Sequence, residues 1–190
     1  MAEADWPYPA PVDDGAADHL KPGLPVPDVP LRATSGAEVR LARLAGRTLV
    51  FVYPWTGRPG LSNPPGWDDI PGAHGSTPEA EGFAALYPKF RDAAIEVFGF
   101  SGQDPEWQAE FRSRLRLPYA LLSDESFTFA RALRLPTFRA GDGDYLSRLT
   151  LILSAGLIED VIYPVHPPHT HASEVLKRLV EPRPARHGSP

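Results

Sequence analysis

The chain has 190 residues, 42% of them hydrophobic and 23% charged, enough for one domain with a proper core. A formal net charge of −5 with no basic stripe argues against a nucleic-acid partner, and no apolar run approaches the ~18 residues of a membrane span. The cysteine count is zero, which removes disulfides, thiolate metal sites and thiol redox chemistry from consideration.

Residues 1–23 hold four prolines among Ala and Asp and read as a Pro-rich, disordered arm. The acidic start shows no basic, apolar leader, so a cytoplasmic location is the default expectation. The folded domain is expected over 24–180, with 181–190 a flexible tail. Leu24 to Leu31 is a Pro-punctuated edge segment, and a helical turn follows at Leu41 to Ala45. Thr48-Leu49-Val50-Phe51-Val52-Tyr53 is a continuous apolar, β-rich run, the pattern of a strand covered on both faces. A long loop, Pro54 to Gly75, carries Trp55, Trp67 and Ile70; loops of that length are usually functional or disordered.

Ser76 opens a helix to about Ala94, with Phe83, Leu86 and Phe90 giving it an apolar face. A second core strand, Ile95 to Ser101, precedes a helix from Asp104 to Leu115 with Pro105 at its first position. Tyr119 to Ser123 is a short strand and Phe127 to Leu133 a short helix. Arg148 to Leu153 and Leu157 to Tyr163 flank Ser154-Ala155-Gly156 as a hairpin. The last helix is expected at Ser173 to Val180. Strands alternating with helices indicate an α/β fold.

Two clusters carry candidate chemistry. Ser76-Thr77-Pro78-Glu79 fits a capping box, in which Ser76 accepts from the Glu79 N–H and the Glu79 carboxylate reaches back. With His74 and the nearby acids it also admits a Ser-His-acid arrangement. The other cluster is His166-Pro167-Pro168-His169-Thr170-His171, holding three of the six histidines. Hairpin geometry sets Tyr163 to His166 at the same sheet edge as Arg148. Neutral imidazoles at His166, His169 and His171 could hold a divalent metal or act as acid/base groups; a solvated loop is the plainer alternative.

Several of these pieces, taken in order, resemble the peroxiredoxins, thiol peroxidases of the redoxin superfamily with a thioredoxin-like fold. The strand Val50-Phe51-Val52-Tyr53-Pro54 with Thr56 is similar to the entry of a peroxiredoxin site. Pro71-Gly72-Ala73-His74-Gly75-Ser76-Thr77-Pro78 resembles the Pro-Gly-Ala-Arg-Gly-Cys-Thr-Pro stretch of one bacterial subgroup. Leu121-Leu122-Ser123-Asp124 looks like the family's Leu-Ser-Asp element, and Arg148-Leu149-Thr150-Leu151 like the strand bearing its arginine.

The resemblance implies a mixed central sheet flanked by helices. It also implies catalytic positions at Ser76, Arg148 and Thr56, no cofactor, a hydroperoxide or other small molecule as partner, and a homodimer; in such a fold the Arg148 edge faces the Ser76 helix terminus, which would set His166, with His74, along the pocket. Ser76 then stands where the family has its peroxidatic cysteine, and Glu81 where the subgroup has a second. A hydroxyl cannot follow a thiol to the sulfenic acid. The implied function is a small-molecule-binding or inactive form, or a serine variant of a peroxidase. The alternative is a non-thiol enzyme that uses His74, His166, His169 and His171 on a specialised metabolite.

Overall fold

The computed structural model describes residues 6–180. Its centre is a seven-stranded mixed sheet in the order β2-β1-β5-β4-β3-β8-β9. The strands are β1 (Leu31–Ala33), β2 (Glu38–Val39), β3 (Arg47–Val52), β4 (Ile95–Ser101), β5 (Ala120–Ser123), β8 (Leu149–Ser154) and β9 (Leu157–Ile162). β3, β4 and β5 are parallel, and β8 runs antiparallel to β3 with Val52 opposite Leu149. The mixed central sheet flanked by helices agrees with the sequence reading.

The apolar run of β3 is buried on both faces for the expected reason. Its side chains alternate: Leu49, Phe51 and Tyr53 join one core cluster, Val50 and Val52 the other. The first cluster packs under α1 (Ser76–Asp92), α2 (Pro105–Leu115) and α4 (Pro168–Val180) through Phe83, Phe90, Phe111 and Val175. The second packs under α3 (Thr128–Leu133) through Phe129 and Leu133. Asp104 caps α2, accepting from the Trp107 N–H at 2.7 Å, with Pro105 in the first turn. Asp124, the acid of the Leu-Ser-Asp element, accepts from the first-turn N–H groups of Phe129 and Ala130 in α3 at 3.2 and 2.8 Å.

The structure differs from the sequence reading in three places. Residues 6–23 are not a loose arm. Ala17 and Leu20 are buried in the second cluster, and His19 bonds to the Leu133 carbonyl at 3.0 Å. Even this proline-rich stretch carries enough apolar surface to offset its ordering. Residues 1–5 and the expected tail, 181–190, lie outside the described residues. A second, two-stranded sheet, β6 (Thr137–Ala140) and β7 (Gly143–Leu146), was not anticipated; Gly141-Asp142 between them is its turn signal. Finally, α4 begins at Pro168, so His169 and His171 lie within a helix rather than in a loop. Proline suits a first helical position, where its missing N–H is no loss.

Candidate functional site

α1 begins where the long loop ends, at the sheet end reached by the last residue of β3 and the first of β8. Arg148 stands immediately before β8 and points back under the start of α1. One guanidinium nitrogen, Nη2, donates to Ser76 Oγ at 3.1 Å and to the His74 carbonyl at 3.1 Å. The other, Nη1, donates to the Glu79 carboxylate. All three side chains are buried: Arg148 is 3% exposed, Ser76 4% and Glu79 0%. The guanidinium and hydroxyl, 72 residues apart in the chain, thus meet as the sequence reading requires.

The capping box does not form. Gly75, at φ 110°, is the cap, and Ser76 is already the first helical residue. The Glu79 N–H donates to the Gly75 carbonyl at 3.0 Å. Glu79 turns inward because it shares the helix stripe of Ser76, Ala80 and Phe83, and the buried Arg148 needs a counter-charge there. Sequence reasoning missed this role. A carboxylate three residues after Ser76 on the apolar stripe was the available signal. Burial pushes the Glu79 carboxyl up to about 7, against the opposing pull of Arg148. Glu81, five residues on from Ser76, is exposed.

Thr56 is buried and held from several sides. Its N–H and hydroxyl donate to Gln103 Oε1 at 2.9 and 3.0 Å, and its carbonyl accepts from Trp107 Nε1 at 2.7 Å. Thr56, His74 and Ser76 line one hollow of about 290 Å³. Ser76 Oγ accepts from Arg148 and has no acceptor for its own proton among the described residues, so it can donate to a ligand. His74 does not bond to Ser76. Its Nε2 meets Asp68 at 2.8 Å and its ring stacks on Tyr8 at 3.6 Å, so no Ser-His-acid relay is assembled. A second hollow, about 230 Å³, is lined by Arg148, Ser147, Tyr163 and Pro164. The hairpin therefore brings Tyr163 to the Arg148 edge as expected.

The histidine cluster does not converge. His166 is exposed and lines neither hollow. His169 stacks on Trp6 with ring centroids 5.4 Å apart. His171 is 2% exposed, accepts or donates at 2.7 Å with Thr150 Oγ1, and meets the edge of Phe83. Two residues apart on a helix point about 200° from each other, so His169 and His171 cannot share an ion. Among the described residues no group of three His, Cys, Asp or Glu side chains could hold a metal. The metal reading of His166, His169 and His171 is thereby corrected. Burial, aided by the Arg148 charge, holds His171 down to about 3, so it stays neutral.

Residues 71–155 match the AhpC/TSA family. Chloroplastic peroxiredoxin Q of Sedum lineare is 30% identical over 159 residues, covering 83% of this chain and 76% of that protein. The chain belongs to the peroxiredoxin family. Chloroplastic peroxiredoxin Q of Oryza sativa subsp. japonica is 31% identical over 159 residues; the match spans 83% of this chain but 65% of the rice protein's length. The crystal structure of the peroxidoxin BcpB from Mycobacterium tuberculosis superposes with a TM-score of 0.67 at 27% identity, covering 87% of this chain and 100% of that one. A serine mutant of Xylella fastidiosa PrxQ gives a TM-score of 0.68 at 20% identity, a likeness of fold. This peroxiredoxin has no cysteine anywhere in its 190 residues.

Proposed function

We propose that this peroxiredoxin keeps the geometry of a peroxide site without the sulfur, and binds a small oxygen-bearing molecule that it does not reduce. The observation that carries the reading is the contact between Arg148 and Ser76 at 3.1 Å, in the first turn of α1 and on the wall of a hollow. The first turn of a helix presents free backbone N–H groups, and a buried guanidinium fixes the oxygen beside them. A hydroperoxide or alcohol oxygen would accept from the Ser76 hydroxyl. Above about pH 7, where Glu79 is ionised and matches the Arg148 charge, a neutral ligand is favoured over an anion. Oxidation would need a thiolate to take up the peroxide oxygen, and serine supplies none.

The test is a titration with tert-butyl hydroperoxide, followed by amide chemical shifts and by peroxide assay of the same samples. Saturable shifts at residues 74–77 with no loss of peroxide support the proposal. Turnover by the cysteine-free chain, or shifts that never localise to this hollow, would remove it.

A further inference from the structure

The first described residues form part of the wall of the hollow that contains Ser76. Trp6 and Tyr8 lean on each other with ring centroids 5.7 Å apart. Trp6 stacks on His169 of α4, and Tyr8 on His74. Further along, the Gly72 N–H donates to the Pro9 carbonyl at 3.3 Å, and the Tyr163 hydroxyl donates to Asp14 at 2.9 Å. Gly75 permits this close packing. A Cβ at that position would fall 2.1 Å from Pro168 Cγ and 3.0 Å from the Trp6 ring. Residues 6–14 thus form a strap along both hollows, with Trp6 and Tyr8 on the Ser76 side and Pro11, Val12 and Asp14 on the Arg148 side.

The strap changes what the hollow can hold. Trp6 and Tyr8 join Trp55 and Trp67 as four aromatic side chains around one space of about 290 Å³. That volume is at the lower end for ligand pockets, so it suits a single ring rather than a fused system. Aromatic walls reward an aromatic ligand beyond simple area burial, through offset and edge-to-face contacts. The polar part of the lining comes from Ser76, Thr77, Asn63 and His74, and above about pH 7 the Arg148 charge below is neutralised by Glu79.

The geometry points to a site for a small, neutral, single-ring aryl alcohol or aryl hydroperoxide, its ring held by the Trp6–Tyr8 strap and its oxygen by Ser76. This rests on the ligand-binding reading above and adds the class of ligand and the residues that select it. No bond is made or broken in the step.

The test compares benzyl alcohol with cyclohexylmethanol, which has the same size and polar group without the aromatic face. Affinities are read by calorimetry or amide shifts on the full chain, on the Trp6→Ala/Tyr8→Ala double variant and on Ser76→Ala. The full chain binds benzyl alcohol roughly fivefold more tightly than its saturated counterpart. The double variant loses that preference. Ser76→Ala weakens both alcohols and keeps it. Equal binding of the two alcohols, or a preference that survives removal of both strap aromatics, overturns the aryl site and leaves the binding reading standing. If neither alcohol binds while tert-butyl hydroperoxide does, the aryl site alone falls; if nothing binds, both fall.

Discussion

The Ser76–Arg148 pair and the histidines of 166–171 lie at one end of the same sheet, yet the fold treats them in opposite ways. The first pair is drawn together. β3, β8 and α1 all end or begin at that edge, and the antiparallel register of β8 on β3 sets Arg148 there, where it meets Glu79. The histidines are scattered. One is exposed before α4, one lies against the strap, and one enters the core. Neighbours in sequence were separated by helical rotation, and residues 72 apart were joined by strand register. Proximity along the chain is weak evidence for a site; a shared sheet edge is stronger.

Stability measurements should separate the two regions most clearly. Arg148→Ala leaves the Glu79 carboxylate buried without its partner, and a loss of about 3–5 kcal/mol is expected in urea unfolding. His166→Ala, at an exposed position, should change stability by less than about 0.5 kcal/mol. Comparable losses for the two variants would erase the distinction.

The pH dependence sharpens the comparison, because the buried group of each region acts in the opposite sense. His171 titrates near 3 in the folded protein against an ordinary value of 6.5. As pH falls through that interval the unfolded chain takes up a proton that the folded chain refuses, so stability drops. Glu79 is pushed from 4.5 to about 7. Across that window the folded chain keeps a proton that the unfolded chain has released, so stability drops as pH rises. Each contribution is on the order of a few kcal/mol. Melting curves of His171→Gln should lose the decline toward acid, and those of Glu79→Gln the decline toward neutrality. Unchanged slopes in either variant would show that the group is not buried as described.

A smaller effect is expected at the strap. Tyr8 is 36% exposed but stacks on His74, so Tyr8→Ala should cost about 0.5–1.5 kcal/mol and increase proteolytic cleavage within residues 6–14. No change in cleavage would mean that the stacking does not hold the segment.

Much of this was legible in the residues themselves. The β3 run, the helix beginning at Ser76 and the hairpin around Ala155 followed from period and turn chemistry, and the hairpin then set Tyr163 beside Arg148. What escaped was tertiary. A Glu three residues after a Ser reads equally as a cap or as a buried partner, and only the position of Arg148 decides between them. The Pro-rich opening has the composition of a loose arm, yet Trp6, Tyr8, Ala17 and Leu20 find partners that no local pattern announces. The start of α4 was misplaced because two adjacent prolines look like a break, although the second serves as a first helical residue.

The most direct test returns sulfur to the site. Ser76→Cys places a thiol in the first turn of α1 beside Arg148, where the guanidinium and the helix terminus favour the thiolate. One equivalent of tert-butyl hydroperoxide should then oxidise that thiol to the sulfenic acid and leave tert-butyl alcohol, at least a hundredfold faster than free cysteine reacts, while the parent chain consumes none. A thiol at position 76 that reacts no faster than free cysteine would contradict the claim that a peroxide site survives here intact but for one atom.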